Sequence, residues 1–105
     1  MYTRIVEITT KPGKARELCN TVQEKVLPIL KKQSGFVDEL VLVSDNDADR
    51  VLGVSLWKNR EDADHYRQEQ YANVHNLIKP YLETEPVIRT FHVNSSTSHR
   101  IAAAA

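Results

Sequence analysis

The chain has 105 residues, and its 14 basic and 14 acidic side chains give a formal net charge of zero at pH 7. This balance argues against nucleic-acid and anionic-membrane partners, and the 41 % hydrophobic content is ordinary for one small globular domain. No apolar run approaches the roughly 18 residues of a membrane-spanning helix, and the first residues lack a signal-peptide pattern. The single cysteine, Cys19, precludes an internal disulfide, so we expect a cytoplasmic protein.

The first part of the chain predicts a strand followed by a long helix. Tyr2 to Thr9 is rich in β-branched residues that partly alternate with polar ones, which is typical of a strand. From Lys14 to Lys32, apolar residues recur every three or four positions and predict an amphipathic helix. Pro28 removes a hydrogen bond from this helix near its end, so we expect a kink or a tightened last turn there. Ser34-Gly35 predicts the end of the helix.

The second part of the chain predicts a hairpin, an interrupted helix and a last strand. The polar run Asp45 to Asp49 connects the two hairpin strands. Asn59 is a favourable N-cap for the helix that follows, and Gln70 interrupts the apolar stripe of that helix. The predicted strands are Phe36 to Ser44, Arg50 to Trp57 and Val87 to Asn94, and the predicted helices are Arg60 to Gln68 and Tyr71 to Lys79.

The order strand, helix, strand, strand, helix, strand predicts a ferredoxin-like α+β fold with a four-stranded antiparallel sheet. We assign it to residues 1–94 and treat residues 95–105 as a C-terminal tail, whose alanine run permits a short helix. The run Leu40 to Val43 is apolar on both faces of its strand, so the sheet face away from the helices also needs cover. A second copy of the chain is the simplest cover, which predicts a homodimer with a barrel-like core.

The strand Arg50 to Trp57 has two unlike faces, because successive side chains of a strand point in opposite directions. One face is smooth and apolar: Leu52, Val54 and Leu56. On the other face, Gly53 and Ser55 have almost no side chain beside Trp57, which leaves room above the sheet. If the helix after this strand covers that face, a pocket forms between sheet and helix.

A set of residues over positions 1–94 carries a family pattern. It consists of Gly35-Phe36 before the second strand, Trp57 at the end of the third, E-D-A-D-H-Y from Glu61 to Tyr66, Tyr71, His75, Pro86-Val87, Phe91 and Val93. The pattern resembles the antibiotic biosynthesis monooxygenase family of dimeric α/β barrels. The resemblance implies a dimer, a pocket between sheet and helices, and oxidation of a small phenolic or quinol substrate by molecular oxygen without a cofactor.

Such an oxidation needs a base, a dry cavity and donors for anionic oxygens, because the phenolate itself gives an electron to oxygen. Trp57 matches the pocket tryptophan of the family. His75 lies one helical turn beyond Tyr71 and, with a reference pKa of about 6.5, is the natural base. We predict two catalytic residues, His75 and Trp57, no metal site, and five substrate-binding residues: Tyr66, Tyr71, Ser55, Gly53 and Arg89.

Alternatives to this assignment stay open. Arg89 reaches a substrate only if Phe91, on the same side of its strand, faces the helices; otherwise a salt bridge at the sheet edge is expected. The chain also fits a non-catalytic dimeric domain that binds a small ligand or has a stress-related role. Trp57 and His75 resemble residues of haem-degrading relatives as well, but the first strand lacks the asparagine of that branch and the Trp57 to His75 spacing is one residue short.

Overall fold

The computed structural model describes residues 1–101 of the chain. The strands are β1 (Tyr2–Thr9), β2 (Phe36–Val43), β3 (Arg50–Trp57) and β4 (Val87–His92). The α-helices are α1 (Ala15–Thr21), α2 (Leu27–Lys31), α3 (Arg60–Glu69) and α4 (Tyr71–Ile78), and a 3-10 turn follows at Lys79–Tyr81. None of these helices is both long and apolar enough to cross a membrane.

The four strands form one sheet in the order β2-β3-β1-β4, and every neighbouring pair is antiparallel. This arrangement confirms the predicted ferredoxin-like α+β fold. The register also defines a row of three residues across the sheet, since Arg4 of β1 and Glu39 of β2 both lie opposite Ser55 of β3. Side chains in one row point to the same face, so these three polar residues face the helices together.

The first helical region was predicted as one helix with a kink or a tightened last turn at Pro28. The last turn is tightened, since the N–H groups of Lys32 and Gln33 bond carbonyls three residues back, but the irregularity before Pro28 was not predicted. The structure has a π-helical segment, Val22–Val26, between α1 and α2, so the irregularity precedes the proline. Pro28 closely follows this segment, so its missing N–H falls where the bonding changes from π-helical to α-helical. The backbone N–H of Leu27 instead bonds the carbonyl of Val22, five residues back, which widens the turn ahead of the proline.

The helices after β3 begin and break where the sequence predicts. Asn59 caps α3, and its side-chain oxygen accepts the backbone N–H of Asp62 at 2.9 Å. Gln70 separates α3 from α4, and its own N–H still bonds the carbonyl of Tyr66. The break reorients the chain so that Tyr66 and Tyr71 approach the same space from two helices, with ring centroids 6.5 Å apart.

Gly35 forms the link between the first helical region and β2. Its φ of +77° lies in the left-handed region, which glycine adopts without strain. A β-carbon at this position would also collide with the side chain of Asp62 in the first turn of α3. The glycine therefore allows β2 to start directly beside the helix that covers β3.

The helices cover one sheet face and leave the other open. Trp57 and Leu18 are fully buried between sheet and helices, together with most of the apolar core. On the opposite face, the register aligns Leu40 with Val54, and Leu40 is 49 % exposed. Phe91 also lies on this open face, opposite Thr3, and is 50 % exposed.

The chain after β4 contains neither helix nor strand up to residue 101. The backbone N–H of Val93 bonds the carbonyl of Met1, and His99 approaches Asp38 of β2, with 3.6 Å between imidazole and carboxylate. The predicted boundary at residue 94 stays a prediction. The alanine run, for which a helix was considered, extends over residues 102–105, outside the described residues.

Candidate active site

A largely apolar cavity lies between the sheet and the helices, at the place predicted from the faces of β3. The volume that the centre of a water molecule can reach is about 50 Å³, and a more open cavity of about 330 Å³ adjoins it. Val22, Glu39 and Val41 line both spaces. The π-helical segment thus borders the passage between them, a common position for π-helical turns in functional sites.

Gly53 and Ser55 form the floor of the inner cavity. The Ser55 hydroxyl accepts the indole N–H of Trp57 at 2.9 Å, which fixes its orientation. A β-carbon on Gly53 would lie 3.5 Å from Oε1 of Glu39, so the Glu39 carboxyl extends over the glycine. Small residues on β3 therefore leave space between the polar side chains of the two neighbouring strands.

Arg4 brings a positive charge into this cavity although it is only 3 % exposed. Its guanidinium carbon is 5.0 Å from the ring centroid of Tyr71 and 5.7 Å from that of Tyr66. Burial lowers the pKa of Arg4, but a guanidinium stays charged at neutral pH. Its Nη2 atom has no hydrogen-bond partner among the described residues.

Glu39 faces the inner and the outer cavity from β2. Its carboxyl makes no hydrogen bond or ion pair within residues 1–101. Burial, with a contribution from the negative charge of Asp38, raises the pKa of Glu39 to about 8. The protein therefore holds a carboxyl group that changes its charge near physiological pH in a mostly apolar space.

Two tyrosines complete the polar part of the cavity. Burial raises the pKa of Tyr66 far above its ordinary value, and it also raises the pKa of Tyr71. Both hydroxyls consequently stay protonated and can donate hydrogen bonds. The Tyr71 hydroxyl is buried without a partner in the described part of the chain, which leaves it free to bind a ligand oxygen.

Trp57 lies beneath the cavity rather than in its lining. Its ring stacks on Tyr66 with centroids 5.1 Å apart and meets Phe36 edge to face at 5.6 Å. Because its indole N–H is bonded to Ser55, the tryptophan orients a cavity hydroxyl and supports a cavity ring.

The structure brings four of the seven predicted site residues into the cavity lining: Gly53, Ser55, Tyr66 and Tyr71. His75 lies behind Tyr71, with ring centroids 6.2 Å apart, and its Nε2 is 2.9 Å from a carboxylate oxygen of Glu85. Phe91 faces away from the helices, and so does Arg89, whose guanidinium is 3.4 Å from the carboxylate of Glu7. The salt bridge considered as the alternative for Arg89 is therefore the arrangement found.

Sequence reasoning missed the two charged cavity residues, Arg4 and Glu39. Arg4 is in phase with Val6 and Ile8, which are both cavity residues, so a charge on the apolar face of β1 was a signal that could have been used. Glu39 gave no equivalent signal. A register shift between Phe36 and Asp38 changes the alternation of β2, and both faces of that strand are apolar farther along.

The structure thus defines a ferredoxin-like α+β protein with an internal, mostly apolar cavity and a few convergent polar groups. A family model described as antibiotic biosynthesis monooxygenase matches residues 1–76. The chain belongs to this family and is a monooxygenase-like protein. A comparison with curated proteins gives no significant match.

Solved structures with the same fold include proteins of known and unknown activity. A monooxygenase from the gene ActVA-Orf6 of Streptomyces coelicolor, solved with the ligand nanaomycin D, is 13 % identical, with a TM-score of 0.78 over 94 % of this chain and 92 % of that one. SnoaB, a cofactor-independent oxygenase from Streptomyces nogalater, is 12 % identical, with a TM-score of 0.75 over 93 % and 97 %. A conserved protein from Methanosarcina mazei is 21 % identical, with a TM-score of 0.71 over 86 % and 89 %. At these identities the likeness shows the fold alone.

Proposed function

We propose that the protein is a cofactor-independent monooxygenase that oxidises a small phenolic or quinol aromatic with molecular oxygen. The observation that carries this proposal is the buried guanidinium of Arg4, which has an unpartnered nitrogen inside a mostly apolar cavity. The family of the protein supports this reaction class, and so does SnoaB, a cofactor-independent oxygenase with the same fold. The cytoplasmic location of the protein stays a prediction.

A guanidinium in an apolar cavity favours a particular kind of ligand. Burying a charge is costly unless an opposite charge or a hydrogen bond compensates it, so a ligand oxygen with negative charge binds best beside Arg4. Apolar walls such as Val6 and Val74 favour an aromatic body. The free hydroxyl of Tyr71 adds a neutral donor to the same oxygen. A phenolate combines these features in one small molecule.

The reaction follows from the same groups. Loss of the phenolic proton leaves an electron-rich phenolate, which gives one electron to molecular oxygen. The resulting superoxide and substrate radical join at a ring carbon para to the oxygen. The O–O bond then breaks as water leaves, so that a phenol with a free para position becomes a para-quinone and the second oxygen atom leaves as water. Arg4 stabilises the negative charge of the bound aromatic, and the dry cavity favours charge stabilisation by fixed donors.

We also propose that the active form is a homodimer. The open sheet face is apolar over several strands, with Leu40, Leu42, Val87 and Phe91 each about half exposed in the single chain. A second copy of the same face buries these side chains and gives the symmetric packing expected from the family resemblance. Sedimentation at micromolar concentration should show twice 12.0 kDa; a monomer there would contradict the dimer.

Oxygen uptake by the metal-free protein tests the proposed reaction. We expect consumption above the spontaneous rate with a panel of naphthols, naphthohydroquinones and larger fused phenols, together with a rise in quinone absorbance. Arg4→Gln should lower kcat/KM about 100-fold, because it removes the positive charge that stabilises the anionic substrate. Arg67→Gln, on an exposed arginine of α3, is the matched control and should retain activity.

The outcomes separate the proposed enzyme from a binding domain. Ligand binding that depends on Arg4 without oxygen uptake would contradict turnover and favour the non-catalytic domain. Uptake that is the same in Arg4→Gln and in the wild type would place the reaction outside this cavity.

A further inference from the structure

The cavity has two chemically different ends, and the register of the sheet fixes their separation. Arg4 and Glu39 lie on either side of Ser55 in one row of the sheet. Two interstrand spacings of about 4.8 Å place their α-carbons about 10 Å apart. Arg4 and Glu39 form no ion pair with each other in the described part of the chain. The space between their side chains lies above Ser55 and Gly53.

Nothing in the described chain neutralises or hydrogen-bonds the Glu39 carboxyl. The ionisable groups that line the same two cavities are Arg4 on β1, Cys19 on α1, Tyr66 on α3 and Tyr71 on α4. Asp38, the neighbour of Glu39 on β2, lines neither cavity but adds its negative charge. Cys19 and both tyrosines are neutral near pH 7 because burial raises the pKa of each. A ligand is therefore the partner that can use the carboxyl.

We propose that Glu39 is the proton acceptor for an aromatic ligand that lies across Gly53 and Ser55, with an oxygen at its opposite end held by Arg4. This inference rests on the proposed function and narrows its substrate class. The preferred substrate carries oxygen at both ends of the ring system and keeps a free ring carbon para to one of these oxygens, as 1,5-dihydroxynaphthalene does. A simple monophenol has a single oxygen, so it can bind either Arg4 or Glu39 but not both at once.

The proton transfer is a complete step. The carboxylate of Glu39 takes the hydroxyl proton, so the ligand O–H bond breaks and a carboxyl O–H bond forms. The electron pair stays on the ligand oxygen, and its negative charge is delocalised onto the ring carbons ortho and para to that oxygen. The total charge inside the cavity stays the same, because the negative charge moves from the Glu39 carboxylate to the ligand oxygen.

Glu39 fits this role by position better than His75 does. The imidazole of His75 is bonded to Glu85 and lies behind Tyr71, whereas the Glu39 carboxyl extends over the cavity floor. The raised pKa of Glu39 supports the geometry, since a base is most effective when its pKa lies close to the working pH. His75 and Glu85 can instead hold Tyr71 in place.

The first test is the pH dependence of oxygen uptake with 1,5-dihydroxynaphthalene. In the wild type, kcat/KM should rise with pH with a midpoint near 8, which is the pKa of Glu39 in the free protein. Glu39→Gln should lower kcat/KM about 100-fold and abolish this pH step, while Glu39→Asp should keep the step at a lower rate. Glu83→Gln makes the same charge change at an exposed position, and it should leave kcat/KM and its pH dependence unchanged.

A second test does not require turnover. In protein labelled with carbon-13 at the glutamate carboxyls, one resonance should titrate near pH 8 and be absent from Glu39→Gln. Addition of 1,5-dihydroxynaphthalene under nitrogen should move this resonance, and the variant should bind the compound at least about tenfold more weakly at pH 9. A resonance that the bound compound leaves unmoved would overturn the role of Glu39.

The two tests distinguish the inference from the proposed function. If oxygen is not consumed but the Glu39 resonance responds to the compound, the monooxygenase proposal fails and the two-ended site stands. If oxygen is consumed and Glu39→Gln retains the pH step, the monooxygenase stands and Glu39 is not the acceptor.

Discussion

Replacing Glu39 with glutamine should change how the stability of the protein depends on pH, whatever reaction it catalyses. Burial raises the pKa of Glu39 from 4.5 to about 8 in the folded chain, and the unfolded chain has the ordinary value. Between these two pH values, the folded state keeps a proton that the unfolded state has lost. The free energy of unfolding of the wild type therefore falls as pH rises through this window, and the fall ends above about pH 8.

The structure sets the size of this effect. The difference between 4.5 and about 8, at about 1.4 kcal/mol per pH unit, gives an upper limit of roughly 5 kcal/mol. Water can reach the carboxyl from the outer cavity, and it screens the charge there. We therefore expect Glu39→Gln to gain about 2–3 kcal/mol relative to the wild type between pH 4.5 and pH 8.5.

Urea unfolding followed by tryptophan fluorescence measures this difference, because Trp57 is the only tryptophan and is fully buried. Protomer concentration must be equal in all samples, since dimerisation contributes to apparent stability. Glu83→Gln is the control and should follow the wild type at every pH. If the stability difference between Glu39→Gln and the wild type is independent of pH, Glu39 ionises as an exposed carboxyl and the argument for a buried acceptor is refuted.

Three further substitutions, one of them with a matched control, test the fold and the open sheet face. Gly35→Ala should cost about 2 kcal/mol or more, because a β-carbon there is strained and meets Asp62, whereas Gly13→Ala, with a similar φ but open space, should cost only about 1 kcal/mol in urea unfolding. Val54→Asp should weaken the proposed dimer more than 100-fold in sedimentation, since it buries an unpaired charge; an unchanged dimer would place the interface elsewhere. Trp57→Phe should cost about 1–2 kcal/mol through lost volume and a lost hydrogen bond, and a variant as stable as the wild type in urea would contradict its supporting role.

Local patterns were sufficient for most of the fold. The strand Tyr2–Thr9 and the Asn59 cap follow from residue type and spacing over a few positions, and the structure confirms both. The order of elements then admits few arrangements of one sheet and its helices. The π-helical segment at Val22–Val26 was not predicted, because the strain from Pro28 is relieved several residues away, at a place that depends on packing.

The sequence by itself determined most of the elements, their order, and the unlike character of the two faces of β3, because these depend on chirality, periodicity and side-chain size along one segment. Only the tertiary structure decided which polar groups meet. Arg4 and Glu39 are 35 positions apart in the sequence and are brought into one row by the register of β1 and β2 on β3. Register depends on pairing between distant strands, so the charged ends of the cavity are a property of the assembled sheet and of no single segment.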